Sequence, residues 1–301
     1  MFFVNTTEAR KRFKDLLGQA NHFLITILIG LDGVEKGLVD RDAAFHAAWN
    51  PRDVQASARR SRDFALDLAL VRVVDSLDAY MSWCHRKPAV IQESRFCDEI
   101  GLAGNKVWFK LDTFQRNIAR IDPTILSLNR LAIAWRNRRV HSLSENDISP
   151  DDRSTLQSQA PSIFEQFRGL DSGKLLERFD HSKAPTFKEA ASLIAGAHNL
   201  VQHFDRELIR SLDPVIYLKE LIGTDFRSDW SQRGSLRDHM RRRAARVWRP
   251  EAGKQQRIEN FIRSLGFSPI DSERLGAQIP VTVIGDFLAW SPDELVGFVN
   301  Q

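Results

Sequence analysis

Three residues near the middle of the chain have side chains suited to one reaction. Arg136, Asn137 and His141 lie in "LAIAWRNRRVHSL", where a long helical pattern ends. Arginine binds phosphate oxygens through a planar, permanently charged fork, and histidine exchanges protons near neutral pH. Asn137 can orient either partner by hydrogen bonding. Since RNA carries its own nucleophile, the 2′-hydroxyl, such a set is suited to cleaving an RNA phosphodiester.

The residues before this motif predict the helix that must position it. Asp122 is a suitable N-cap, and Pro123 fits the first turn of a helix. Apolar residues then recur in two stripes, one at Ile125, Leu128, Leu131, Ala132 and Trp135, the other at Leu126, Ile133 and Val140. We expect the first stripe to face the core. A helix that is apolar on two sides needs two partners, so we expect the second stripe to face a second copy of the chain.

The spacing within the motif limits how its members meet. Asn137 and His141 are four residues apart and share one helix face. Arg136 and His141 are five apart, so they diverge by about 140° on an ideal helix. An unwound last turn, the reach of the arginine or a second chain would each bring them to one substrate.

The motif Arg136-Asn137-x-x-x-His141 resembles the R-N-x-x-x-H signature of HEPN domains. These are helical bundles, many of them metal-independent endoribonucleases of toxin–antitoxin, abortive-infection and antiviral defence systems. The resemblance covers residues 1–221. It implies a homodimer whose two motifs face each other across a composite cleft, with an antitoxin or sensor protein as a possible partner. It also implies that His141 acts as acid/base, that Arg136 stabilises the phosphate, and that an acid on an earlier helix orients the arginine. Asp67, Asp75 and Asp78 lie on or near the apolar stripes of the second predicted helix. Asp78 is the candidate for the orienting acid, and a surface salt bridge is the favoured alternative for it.

Further arginines predict where RNA would bind. Arg138 and Arg139 follow the motif and would strengthen its attraction for anions. The net charge is only +4, but the stretch from Asp225 to Arg263 holds eleven Arg or Lys against five Asp or Glu. Its run of Arg241, Arg242 and Arg243 suits phosphate contacts, with Trp248 and Phe261 as a possible stacking platform. An ordinary amphipathic helix with a solvated basic face is the equally favoured alternative.

Two other groups of residues are not predicted to form functional sites. Arg41-Asp42-x-x-x-His46 repeats the motif with Asp in place of Asn, but it lies in a weakly periodic segment and is expected to be inactive. The histidines and acids of "HNLVQHFDRE" lack the spacing of a metal site, because the imidazoles are five residues apart; a solvated helix face is expected there. The sequence therefore predicts neither a metal nor a cofactor.

Helical periodicity through most of the chain predicts an all-α, antiparallel helical bundle. Residues 1–221 form the predicted HEPN-like domain and 222–301 a small basic module, with a partial strand expected at 279–288. The apolar run "FLITILIGL" is too short to span a bilayer and is expected to be a buried helix, so no membrane is predicted. Cys84 and Cys97 fit neither a disulfide framework nor a zinc pair, which favours the cytoplasm.

One rival function remains open from the sequence. A HEPN-like fold without catalytic activity would bind a protein or nucleic acid through the basic C-terminal segment. A DNA-binding regulator is a third class, but the sequence contains no clear helix-turn-helix pattern to support it. Loss of RNA cleavage on substitution of His141 distinguishes the nuclease from both.

Overall fold

The predicted all-α fold is confirmed. The computed structural model describes residues 1–39, 51–141, 144–231, 234–249 and 253–300. In chain order its elements are β1 (Phe2–Val4), α1 (Glu8–Leu17), α2 (Ala20–Glu35), α3 (Val54–Cys84), α4 (Ser94–Ala103), α5 (Val107–Asn117), α6 (Pro123–Val140), α7 (Pro150–Ser158), α8 (Ala160–Gln166), α9 (Ser172–Asp180), α10 (Phe187–Ser211), α11 (Pro214–Arg227), α12 (Leu236–Val247), α13 (Lys254–Ser264), β2 (Phe267–Ser268), β3 (Gln278–Ile279), α14 (Val281–Ala289) and α15 (Pro292–Asn300).

The helix that carries the motif, α6, begins and ends as its sequence predicts. The carboxylate of Asp122 accepts a hydrogen bond of 2.7 Å from the backbone N–H of Thr124, and Pro123 occupies the first turn. The helix ends at Val140, since His141 has an extended backbone. α6 packs against α3, α7 and α10, so the bundle covers it on several sides.

The two apolar stripes of α6 do not have the two different partners predicted for them. Leu128, Leu131 and Trp135 of the first stripe are buried, as expected. Leu126 and Ile133 of the second stripe are also buried within the same chain, and only Val140 is exposed. Because Leu126 and Ile133 are buried within the chain, this stripe provides no dimer interface except at its last residue.

The C-terminal segment shares its core and its sheet with the beginning of the chain. β1 pairs antiparallel with β2 on one side and with β3 on the other. The predicted boundary between residues 221 and 222 falls inside α11, where Leu221, Ile222 and Phe226 are all buried in one continuous core. The predicted partial strand is reduced to β3, and most of the stretch forms α14.

The apolar run near the N-terminus forms α2, which is a surface helix and not the buried helix predicted. Leu24 and Leu28 are buried, but Phe23, Ile27 and Ile29 are exposed. By length and composition alone, Glu8–Glu35 is the one stretch of the described chain that could cross a membrane. Its first part, α1, contributes buried side chains to the core cluster of the bundle.

Candidate functional site

Arg136 is held at the C-terminal end of α6 by two acceptors from different helices. Its Nη2 donates to Oδ1 of Asp75 on α3 at 2.9 Å. Its Nη1 donates to Oδ1 of Asn137 at 3.1 Å, and its Nε is buried without a hydrogen-bond partner. A guanidinium carries five N–H donors, so each terminal nitrogen keeps one that is free to bind an anion.

The sequence predicts that Asn137 orients another member of the motif, and in the structure its amide oxygen contacts Arg136. The amide of Asn137 lies half-buried next to the guanidinium, and its oxygen accepts the hydrogen bond. Asp75 opposes it from α3, so the arginine is fixed from both sides. An arginine with a fixed fork loses less conformational entropy when it binds a phosphate.

His141 caps α6 and is exposed. Its backbone N–H donates to the carbonyl of Asn137 at 2.9 Å, and its own carbonyl accepts from Ser144 at 2.8 Å. Its φ of −108° and ψ of 105° take the chain out of the helix, so the divergence expected on an ideal helix does not apply to this side chain. Among the described residues the imidazole has no hydrogen-bond partner, which leaves both ring nitrogens free for a substrate.

The acid that orients Arg136 is Asp75 and not Asp78. Asp78 instead accepts a hydrogen bond of 2.7 Å from the ammonium of Lys110, which also contacts Ser82 at 2.8 Å. Lys110 is buried, so its charge needs this partner. The two acids are three residues apart on α3, so their spacing alone favours neither. Only the rotation of α3 about its axis decides which one meets the arginine.

Arg138 holds the motif end of α6 against α9. Its guanidinium lies 4.0 Å from the ring centre of Phe179 and donates to the carbonyl of the same residue at 3.2 Å. It also pairs with Asp147 at 3.4 Å. These contacts occupy the side chain that the sequence assigns to RNA binding.

Arg139 ties α6 to α3 in the same way. Two parallel hydrogen bonds of 2.8 and 2.7 Å join it to the carboxylate of Asp67, and a third of 2.6 Å reaches the carbonyl of Ser182. The hydrogen bonds that Arg139 donates to Asp67 raise the pKa of Arg139. A bidentate pair of this kind is strong and neutralises the charge, so Arg139 is a structural residue and contributes little attraction for RNA.

The three consecutive arginines on α12 that the sequence assigns to RNA binding have different surroundings in the structure. Arg243 pairs with Asp225 at 3.4 Å and Asp229 at 3.1 Å, and Arg241 pairs with Asp293 at 3.0 Å. Arg242 is exposed.

The predicted stacking platform is a packing centre. Trp248 is buried, and its indole N–H donates to the carbonyl of Phe287 at 2.8 Å. Its ring meets Phe261 edge to face, with 5.6 Å between the ring centres. A buried ring cannot stack on a base, so these aromatic residues hold α12 to its neighbours instead.

A buried carboxylate on α10 is not part of a solvated face, contrary to the sequence prediction. Asp205 is fully buried and accepts hydrogen bonds from the hydroxyl and the backbone N–H of Thr7, the N-cap of α1. Arg10 approaches it at 3.7 Å. Burial raises the pKa of Asp205 to about 6. Buried Val201 lies four residues before Asp205, and buried Leu208 and Ile209 lie three and four residues after it. This helical spacing of apolar residues is the signal from which the burial of Asp205 could have been predicted.

The second copy of the motif, at Arg41 and His46, lies outside the described residues. Comparisons with protein-family models, with curated proteins and with solved structures find no match for this chain. The candidate site therefore depends on the residue types at Arg136, Asn137 and His141, on their helical context and on the contacts described above.

Proposed function

We propose that the protein is a HEPN-type, metal-independent endoribonuclease. One observation carries the proposal: Arg136 is fixed by Asp75 and Asn137 with free donors, at the end of a helix whose cap is the exposed His141. A bare helix end would not need a guanidinium oriented from two helices. This arrangement supplies a phosphate-binding charge and a proton-transfer group five residues apart at one end of a helix.

The reaction that suits these groups is transesterification within RNA. His141 removes the proton from a 2′-hydroxyl, and the oxygen attacks the adjacent phosphorus. The bond from phosphorus to the 5′ oxygen breaks, and that oxygen takes up a proton. Arg136 stabilises the negative charge that develops on the non-bridging oxygens. The products are a 2′,3′-cyclic phosphate and a 5′-hydroxyl.

A homodimer would complete this site. The attacking and leaving oxygens lie on opposite sides of phosphorus, so a second histidine from another copy of the chain can serve as the acid while the first serves as the base. Large apolar side chains are exposed beside the motif: Phe64 at 65% and Leu68 at 50% on α3, and Val140 at 47% on α6. With period 3.6, Phe64, Leu68 and Asp75 share one side of α3. We therefore place the dimer interface on this side of α3.

The biological setting follows from the same resemblance. A cytoplasmic ribonuclease of this kind would act as a bacterial toxin or abortive-infection effector, controlled by an antitoxin or sensor protein. The rival function is a non-catalytic HEPN-like module. It is favoured by exposed arginines on α12, which could bind a nucleic acid without any cleavage.

Substitution of one exposed histidine at a time tests the proposal. His141→Ala should abolish cleavage of a labelled RNA, because no other proton-transfer group lies in the motif. His181→Ala is the matched control, since His181 is also exposed and also caps a helix, α9. Equal activity of the two variants would reject the nuclease and leave the binding module.

A further inference from the structure

The five arginines between residues 241 and 249 form two groups that differ in their contacts. Arg241 and Arg243 are paired with carboxylates of neighbouring elements. Arg242, Arg246 and Arg249 are exposed, and among the described residues neither a hydrogen bond nor an ion pair holds their guanidinium groups. We propose that these three, which we call the arginine stripe, bind the phosphate backbone of single-stranded RNA. The inference rests on the proposed function and names the surface that recruits its substrate.

The spacing of the arginine stripe places its charges in a row. Arg242 and Arg246 are four residues apart on α12 and share one face of it, and Arg249 follows two residues after the helix ends at Val247. The two positions on the helix are roughly 6 Å apart along its axis, at 1.5 Å per residue. An extended RNA strand can therefore contact successive phosphates along this row. Each guanidinium offers a planar fork that matches the oxygens of a phosphate.

The opposite side of α12 keeps the row in place. Met240, Ala244 and Trp248 are buried against the C-terminal helices. Arg243 joins the helix to Asp225 of α11 and Asp229. Because the helix is anchored on this side, the arginine stripe is presented to solvent from a rigid element.

The chemistry of the exposed face favours RNA over a membrane. Helices that bind at lipid surfaces insert large apolar side chains, and the apolar residue beside Arg242 and Arg246 on this side of α12 is the small Ala245. Asp238, the only acid within α12 itself, whose residues are all described, lies one turn before Arg242 on this face, so the three arginines outnumber it. Sequence-independent contact with phosphates needs such a charge and no base-reading side chain.

A salt titration of RNA binding tests the arginine stripe. All variants are made in the His141→Ala background so that the RNA stays intact, and binding of a labelled single-stranded 20-mer is measured by fluorescence anisotropy at several salt concentrations. Replacing Arg242, Arg246 and Arg249 with Ala should lower the salt slope by about 2, because each neutralised phosphate of a single strand contributes about 0.7 to it. The affinity at about 0.1 M salt should fall by roughly 10- to 100-fold.

A second triple variant serves as the matched control. Arg52, Arg60 and Arg86 are also exposed, and their replacement with Ala changes the net charge equally. This control should keep the slope and the affinity close to those of the parent. Circular dichroism and urea unfolding establish that both variants keep the fold.

The possible outcomes separate this inference from the proposed function. Equal effects of the two triples, or no RNA binding by the parent, would overturn the arginine stripe; binding to anionic vesicles instead of RNA would assign it to a membrane. If the parent binds RNA through the arginine stripe while the chain with His141 intact cleaves nothing, the nuclease fails and the stripe stands. If that chain cleaves RNA but the stripe substitutions leave binding unchanged, the nuclease stands and the stripe fails.

Discussion

Two acids on α3 have opposite roles in this structure, and exchanging each for its amide separates them. Asp75 contacts Arg136 in the candidate site, whereas Asp78 contacts the buried Lys110. We expect Asp75→Asn to lower the rate of RNA cleavage with little loss of stability. Asp78→Asn should lower stability and leave the cleavage rate of the folded protein close to normal.

The solvent exposure of each ion pair determines how much its loss changes the free energy of unfolding. The side chain of Asp75 is 57% exposed, so its pair with Arg136 contributes at most about 1 kcal/mol to the free energy of unfolding. Lys110 is only 5% exposed at its side chain, and removal of the Asp78 charge leaves its ammonium with Ser82 alone. Removing one partner of a buried pair costs about 3–5 kcal/mol, and the partial exposure of Asp78 places this case near 2–3 kcal/mol.

The effect on catalysis has a different origin. Displacing a reacting group by about 1 Å costs about 100-fold in rate. Asn137 still holds Arg136 in the Asp75→Asn variant, so we expect a reduction of roughly 10- to 100-fold, within that limit. The reduction should appear in kcat at saturating RNA, because the charge that binds the phosphate is unchanged.

Urea unfolding measures the free energy of unfolding of both variants. Cleavage of a labelled RNA by the folded fraction measures their cleavage rates. The reasoning would be refuted if Asp78→Asn lost activity at full stability while Asp75→Asn kept it. It would also be refuted if both variants changed stability and activity in parallel, because the two acids would then not have separate partners.

Three other outcomes are expected. Arg139→Ala should lower the free energy of unfolding by about 2–3 kcal/mol in urea, because it leaves the partly buried Asp67 unpaired; an unchanged stability with weaker RNA binding would instead support the role predicted from sequence. Burial raises the folded-state pKa of Asp205 to about 6, above its unfolded value, so its contribution to stability is present below about pH 4 and is lost as the pH rises through 6. The free energy of unfolding relative to Asp205→Asn should therefore fall by about 2–3 kcal/mol between about pH 4 and 7, and a flat difference would contradict this account. Replacing Phe64 and Leu68 with Glu should convert a dimer into a monomer in analytical ultracentrifugation and abolish RNA cleavage; a monomeric parent that cleaves RNA would remove the composite cleft.

Local signals in the sequence predicted the helix that carries the motif. The cap at Asp122, Pro123 in the first turn and the apolar steps of three and four residues fix the beginning and the face of α6. They act within one or two turns of the residue concerned, so they can be recognised without the fold. The all-α class follows from the same periodicity in the other helices.

Contacts between helices were not predictable in this way. Arg138 and Arg139 have the same charge as Arg136 and lie beside the motif, yet Phe179 and Asp67 from distant parts of the chain occupy them. The burial of Trp248 likewise depends on helices that come later in the sequence. An arginine or an aromatic residue in a basic stretch becomes a ligand-binding or a structural residue according to its neighbours, and the spacing along one helix does not specify them.

The end groups of the RNA fragments test the central claim most directly. Purified protein is incubated with RNA in excess chelator, beside the same strand carrying a single 2′-deoxy nucleotide at the cleavage position. If His141 and Arg136 activate the 2′-hydroxyl of RNA itself, cleavage persists, leaves a 2′,3′-cyclic phosphate and a 5′-hydroxyl, and stops at the deoxy position. Cleavage that needs a divalent metal, leaves a 5′-phosphate or proceeds at the deoxy nucleotide would contradict the account.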